Sequence, residues 1–589
     1  MIRLTKFLWA TLLIAALAVG LAAPSANIAA ERVPNTATLL SQTDVDTLAA
    51  LMPNNASVFV AFRTDDGYIQ ALDGVLQKVL AKLPQGMAPS IRLTQILDQA
   101  SAALGGDFQT AIRSWLGDNG AFAVGALDKL LDTDRTDDRD DDKDNDTDTE
   151  FLFALQITNR SEVETLFERI VPARLYKKAS NNAATNYELT DGSDLLVSIR
   201  DDLLLFGNED GVSSTLTRGA KLNSNPDFTA TIGALPAEGY NILAYFNFAS
   251  LQDAFEMLLP PSQRELLAAS LVPIALGATI LDGRSLVLDF ASFNTLEARY
   301  SGIDLTSPTN PTFAAYMPAD TILSIQTKNL KGLYEVLLSI VRSNLSSREF
   351  ERGLRQIERA VQVQTGLDLN EDILSWMTGD FALFIAYTPQ ADSPLEVAID
   401  PNASVPFVGY NFGLIIEATD SAKAANVVSS LSTALERALQ DAPDVTLTET
   451  NNTLTVALNV PNLSTPIELV LGANDSVFYF ATKAAADHIT SGTAGLTATL
   501  GYEEAMKYAL PNASQMWYMG TDTINLVAEF AALQNVLTER TFSRIEELSQ
   551  FRQTRFFGQL FAPLLSSSSI SIALNGDYQV SRAVLTLPE

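Results

Sequence analysis

Ile112-Arg113-Ser114-Trp115, preceded by Asp107-Phe108 and followed by the glycine-led run Gly120-Ala121-Phe122-Ala123-Val124, returns later as Ile373-Leu374-Ser375-Trp376. The second occurrence is again preceded by an Asp-apolar pair, Asp368-Leu369, and followed by Gly379-Asp380-Phe381-Ala382-Leu383. Trp115 and Trp376 stand 261 residues apart, and so do the paired Asp, Ile and Ser residues. A helical turn, an aromatic anchor and a strand that recur in register mark a duplicated unit, and an internal repeat governs every more local reading.

The repeat extends outward in both directions. Met52-Pro53-Asn54-Asn55-Ala56-Ser57, leading into Val58–Phe62, matches Met317-Pro318-Ala319-Asp320, leading into Thr321–Ile325. Each is a Pro turn, a polar step and an alternating strand, and each precedes an amphipathic helix, Tyr68–Leu83 or Leu330–Val341. Beyond the Trp elements come two strand–helix units, Phe151–Thr158 with Ser161–Val171 and Phe412–Ala418 with Thr419–Leu439. Hairpins with polar tips follow, at Arg200-Asp201-Asp202 and at Asn474-Asp475. A third Pro signal, Ala234-Leu235-Pro236, pairs with Ala509-Leu510-Pro511 ahead of a strand and a helix. Each half closes with a hairpin, and Asn575-Gly576 in the second is the strongest short-range hairpin signal. The expected organisation is therefore one module at 48–304 and a second at 312–589. The Met-Pro or Leu-Pro element occurs twice within each copy, which suggests a smaller ancestral unit.

Local chemistry assigns the elements. Val163, Leu166, Phe167 and Ile170 fall on one helical face, with Ser161 and Glu164 expected to form a capping box. Phe350, Leu354, Ile357 and Val361 make a second apolar stripe, capped by Ser346-Ser347-Arg348-Glu349. Leu195–Ile199 and Ile570–Leu574 read as strands bounded by polar and turn-forming residues. Hairpins mixed with strand–helix units give an α+β fold, a tandem duplication of mostly antiparallel sheet with helices packed on one face.

These features together resemble an uncharacterised exported bacterial family, domain of unknown function 3352 (DUF3352). The residues carrying the resemblance are Met52-Pro53, Met317-Pro318, the run Gly366–Trp376 and the strand start Gly379–Ala382. The resemblance covers most of the mature chain. It implies an envelope or extracellular location and a duplicated α+β build, and it brings no catalytic residues.

The N-terminus supplies the address. Arg3 and Lys6 precede an apolar run from Phe7 to Ala23, then Ala22-Ala23-Pro24-Ser25-Ala26 and a polar segment. That order is a secretory signal, with cleavage after Ser25, Ala26 or Ala30; the competing reading is a retained single-span anchor. Residues 1–30 are thus a signal peptide or N-terminal anchor, and 31–47 a linker. The expected location is periplasmic, extracellular or anchored on the outer side of the cytoplasmic membrane.

Composition removes whole classes of chemistry. The 589 residues include no Cys and one His, which excludes disulfides, thiolate metal sites, Cys nucleophiles and every motif that needs two imidazoles. A net charge of −31 argues against nucleic acid, whose phosphates call for a surplus of Lys and Arg.

The acidic run Asp132–Glu150 holds ten Asp and one Glu against Arg135, Arg139 and Lys143. Asp142, Asp144, Asp146 and Asp148 have the alternate spacing of a calcium loop. The glycine at position six and the carboxylate at position twelve are absent, Phe153 standing at the latter. The run reads as a solvated insertion between two strands, and the other half has its own insertion, Thr388–Val408. His488 reads as a surface helix position. No G-x-S-x-G, S-x-x-K or phosphate loop occurs. Asp107 and Asp368 read as helix N-terminal residues, and Trp115 and Trp376 as core anchors, rather than as a carboxylate pair or a carbohydrate platform.

No residue is accordingly assigned a catalytic, cofactor-binding or metal-ligating role, and no cofactor is expected. The functional expectation is an exported non-catalytic binding or scaffold protein of the cell envelope, its partner an unknown envelope protein. The alternatives are a carrier of a lipid or other apolar ligand in a groove between helices and sheet, and a carboxylate-dependent hydrolase.

Overall fold

The computed structural model describes residues 39–82, 92–125, 150–248, 271–294, 307–387, 410–523, 526 and 566–588, apart from 103, 191–192, 216–218, 345–346, 441, 451, 460–465 and 493. The N-terminal segment, the acidic run up to residue 149 and the insertion Thr388–Val408 lie outside the described residues. Contacts divide the chain into two compact units, Met1–Thr295 with Asn575–Val580 and Glu589, and Leu296–Leu574 with Ser581–Pro588.

The first unit contains β1 (Leu40–Ser41), β2 (Val58–Arg63), β3 (Leu116–Val124), β4 (Phe151–Ile157), β5 (Tyr176–Ser180) and β6 (Ala184–Leu189). It continues with β7 (Leu195–Arg200), β8 (Leu203–Asn208), β9 (Gly239–Tyr240), β10 (Ile242–Asn247), β11 (Pro273–Leu281) and β12 (Ser285–Phe293). Its helices are α1 (Gln42–Ala49), α2 (Asp66–Ala81), α3 (Leu93–Ala102), α4 (Arg160–Ile170), α5 (Glu209–Ser214) and α6 (Pro226–Gly233). The main sheet runs β12–β11–β10–β2–β3–β4–β8–β7–β6–β5, every pair antiparallel. β11 and β12 are joined by Asp282-Gly283-Arg284 between the paired Leu281 and Ser285, with Asp282 and Gly283 both at positive φ (52° and 61°) and the Arg284 N–H donating to the Leu281 carbonyl at 3.1 Å.

The core explains the helices. Val163, Leu166, Phe167 and Ile170 are all buried, packed with Phe153, Leu155, Tyr187 and Val197 of the sheet. The cap of α4 differs from expectation: Asn159 accepts from the Glu162 backbone N–H, and Ser161 donates its hydroxyl to Asn159 Oδ1 instead of capping. Asn159 lies between the end of β4 and the first helical residue, so its side chain is the one that reaches the open N–H groups.

The second unit contains β13 (Thr321–Lys328), β14 (Asp380–Tyr387), β15 (Tyr410–Glu417), β16 (Val445–Thr450) and β17 (Thr453–Leu458). It continues with β18 (Ile467–Ala473), β19 (Val477–Thr482), β20 (Gln515–Gly520) and, apart from Asn575 and Tyr578–Val580, which fall in the first unit, β21 (Ser567–Asn575) and β22 (Tyr578–Thr586). Its helices are α7 (Leu330–Asn344), α8 (Ser347–Thr365), α9 (Ser421–Leu439), α10 (Lys483–Ser491) and α11 (Leu500–Met506). The strand order is β21–β20–β13–β14–β15–β19–β18–β17–β16, again antiparallel throughout.

Two expectations meet differences here. Helices pack on both faces of this sheet, not one. Ala485, Ala486 and Ile489 of α10 lie with Ile415, while Ala424, Val427 and Val428 of α9 lie with Ile416, and successive strand residues point to opposite faces. Strands such as Phe381-Ala382-Leu383-Phe384-Ile385 are apolar at every position, so neither face is built for water. The stripe on α8 is also only partly used: Phe350 is buried, whereas Ile357 is 56% exposed. Its capping residue Ser346 lies outside the described residues. Helical periodicity marks an apolar face without supplying a neighbour for every turn.

Candidate binding face

The Trp elements show how local sequence builds this fold. In the first unit Asp107 Oδ1 accepts from the Thr110 N–H at 2.8 Å and from its hydroxyl at 2.7 Å, bonds that hold the exposed Asp107 carboxyl below its ordinary pKa. A π-helical turn, Gln109–Arg113, follows, and Trp115 enters the core with its indole N–H on the Ala111 carbonyl at 2.8 Å. In the second unit Asp368 caps Asn370 and Glu371, Leu369–Ile373 is the π turn, and Trp376 donates to the Asp372 carbonyl. Both Trp side chains are buried, so they serve as core anchors. His488 is half-buried on α10, one residue after Asp487, which pairs with Lys483.

The buried charges are likewise committed to structure. Arg63 donates to Asp65 at 2.7 Å and to Asn119 at 2.8 Å, tying the end of β2 to β3 and to the cap of α2. Asp380 at the start of β14 accepts the Asn310 N–H on both oxygens, and its own N–H donates to Glu417 at 2.8 Å. Burial pushes the Asp380 carboxyl above its usual range. Among the described residues no three His, Cys, Asp or Glu side chains gather as metal ligands.

What stands open is a sheet face. In the second unit, alternation places Ala382, Phe384, Ile415, Tyr479, Ala481 and Tyr518 on one face, where α10, α11 and short helical turns close over them. The opposite face carries Phe381, Ile416 and Phe478 at one end, covered by α9 and Trp376. Further along the strands no described helix covers this face. Leu383 is 49% exposed, Phe412 42% and Phe480 38%, and the rings of Phe412 and Phe480 lie 6.5 Å apart.

The register extends this patch sideways. Ile385 pairs with Phe412, Leu383 with Leu414, Leu414 with Phe480, and Leu383 with Ile325, which in turn faces Trp517. None of these side chains is charged. An antiparallel sheet open to water ordinarily shows polar residues there, so an apolar open face is a marked departure. The Trp517 indole N–H at the far side of the patch is buried and without a hydrogen-bond partner among the described residues.

In the first unit the same face, at Phe122, Phe151 and Phe206, is half-buried to buried, against Val60, Leu72 and Leu76 and the core under α3 and α4. The open face has a sequence signal in the runs without alternation, Phe151–Leu155, Leu203–Phe206 and Phe381–Ile385, which require cover on both sides.

A family model described as "Protein of unknown function (DUF3352)" matches residues 11–552. No curated protein and no solved structure matches the chain.

Proposed function

The chain belongs to the DUF3352 family, and from that premise we propose that it is an exported, non-catalytic binding protein of the cell envelope that holds an apolar ligand on the open sheet face of its second unit. One observation carries the proposal: Leu383, Phe412 and Phe480 stay open on a face whose described side chains, from Phe480 across to Trp517, carry no charge. At about 25 cal/mol per Å² of apolar surface removed from water, covering even a few such side chains contributes several kcal/mol to binding.

The two units are two copies of one module, and three observations support that reading. The strand order β11–β10–β2–β3–β4–β8–β7–β6–β5 has the same connectivity as β21–β20–β13–β14–β15–β19–β18–β17–β16. The bonds of the Trp element recur at the 261-residue offset, from Trp115 to Ala111 and from Trp376 to Asp372. So do the caps of the following helices, Asn159 and Asp420. Duplication followed by divergence gives one copy a closed face and leaves the other open to bind.

The test is capture of the mature protein from an envelope extract, with lipid analysis of what co-purifies. An apolar molecule should be recovered with the native chain and lost when Phe412 and Phe480 are both replaced by Asp. Recovery of no apolar molecule, or equal recovery with the double variant, overturns the reading. Export is tested separately: N-terminal sequencing should begin between Ala26 and Glu31, whereas an intact Met1 in membranes would establish an anchor.

A further inference from the structure

We infer that the outer edge of β16 is a docking edge for an extended basic segment of a partner protein, which adds to the second unit's sheet as a further strand. β16 pairs with β17 alone among the described residues. In an antiparallel pair, residues bonded across the pair alternate with residues whose N–H and C=O face away. The Asn459 N–H donates to the Asp444 carbonyl at 2.8 Å, which makes Thr446, Thr448 and Thr450 the bonded set. Val445, Leu447 and Glu449 therefore turn their backbone outward. The Val445 N–H is taken by Ala442, and the remaining groups of these three residues have no backbone partner among the described residues.

The first unit shows what a closed edge looks like. β5 ends its sheet in the corresponding place and pairs with β6 alone among the described residues. Its outward set is Tyr176, Lys178 and Ser180, since the Thr190 N–H bonds to Leu175 and the Asn181 N–H to Ala184. Counted back from the closing pair of each hairpin, Asn181–Ala184 and Thr450–Thr453, Lys178 and Leu447 hold the same position. Lys177 and Lys178 are the kind of residue that keeps a sheet edge from pairing, and Lys178 is fixed there by Glu168 at 2.6 Å. β16 reads Val-Thr-Leu-Thr-Glu-Thr, with neither Lys nor Pro.

Charge selects the occupant. Asp444 and Glu449 are exposed at the two ends of the edge, and Glu468 lies two strands in, through Ala457. A second copy would bring another −31 to an acidic edge, so a Lys- or Arg-bearing strand is the complement. Backbone bonds along an exposed edge give such a partner its affinity, and the charges give it selectivity.

The experiment uses the full chain and a fluorescent eight-residue peptide of alternating Thr and Val with a Lys near each end, read by anisotropy. The basic peptide should bind, and its twin with Glu in place of Lys should bind at least tenfold more weakly. Two further peptides carry N-methyl groups on one or the other alternate set of amides. One pattern should lose binding at least tenfold and the other should keep it. Leu447→Lys, which copies the closed edge, and Glu449→Lys at an exposed position should each weaken binding. Absence of binding, equal binding of the Glu twin, or indifference to both methylation patterns overturns the inference. Self-association abolished by Glu449→Lys would give the edge to a second copy and overturn it as well.

Discussion

The indole N–H of Trp376 donates to the carbonyl oxygen of Asp372, four residues earlier, at 3.0 Å. The bond bridges the end of the π turn Leu369–Ile373 and the 3-10 turn Leu374–Trp376 that follows it, where the backbone ladder is loosened, so the side chain takes up an acceptor the helix leaves spare. The Trp376 carbonyl in turn accepts the Thr419 hydroxyl at 2.6 Å, fastening the turn to the start of α9. Trp376→Phe keeps an aromatic ring against Phe478 but loses the donor and part of the volume. It should cost about 1–3 kcal/mol, seen as a lower urea midpoint. An unchanged midpoint would mean that Trp376 holds nothing the ring alone does not.

Phe412→Asp with Phe480→Asp tests the open face. Both side chains are about two-fifths exposed, so the urea midpoint should fall by less than for a fully buried Phe, and circular dichroism without urea should show the double variant folded. Binding of a fluorescent fatty-acid probe should fall at least tenfold. Trp517 lies on the same face through Leu383 and Ile325, so its emission should shift when the probe binds the native chain. A probe that binds the double variant as well as the native chain would remove the sheet face from consideration.

The α4 cap gives a sharper local test. Asn159→Ala removes the acceptor of the Glu162 N–H and should lower stability by about 1 kcal/mol. Ser161→Ala should do little, because the Ser161 hydroxyl only donates to Asn159. Equal effects in a urea titration would restore Ser161 as the capping residue.

The particular residues explain how much was legible in advance. The Asp107 and Asp368 turns, the Trp115 and Trp376 anchors and the face Val163–Ile170 were readable because each depends on neighbours within a few residues. The cap at Asn159 was displaced by two residues because Ser161-x-x-Glu164 is an equally good local pattern, and only the end of β4 decides between them. The open face at Phe412 and Phe480 depends on which helices reach it, and spacing along the chain does not carry that. Leu447 and Lys178 are further from legible still, since their equivalence follows from hairpin register in two separate sheets.

Asp380 supplies a pH dependence whose direction is fixed. Burial raises its folded-state pKa, so the folded chain holds this proton more tightly than the unfolded chain does. Below the unfolded value of about 4, both states are protonated and the group favours neither. As pH rises from there through the higher folded value, the unfolded state ionises first, and stability is lost across that window. Asp380→Asn cannot ionise. It still offers one oxygen to the Asn310 N–H, and its disturbance of the second bond does not depend on pH. The change in urea midpoint from pH 4 to pH 7 should therefore be more negative, or less positive, for the native chain than for the variant. An equal change in the two proteins would show that Asp380 ionises as readily folded as unfolded, and that Lys328 and the donors around it offset its burial in full.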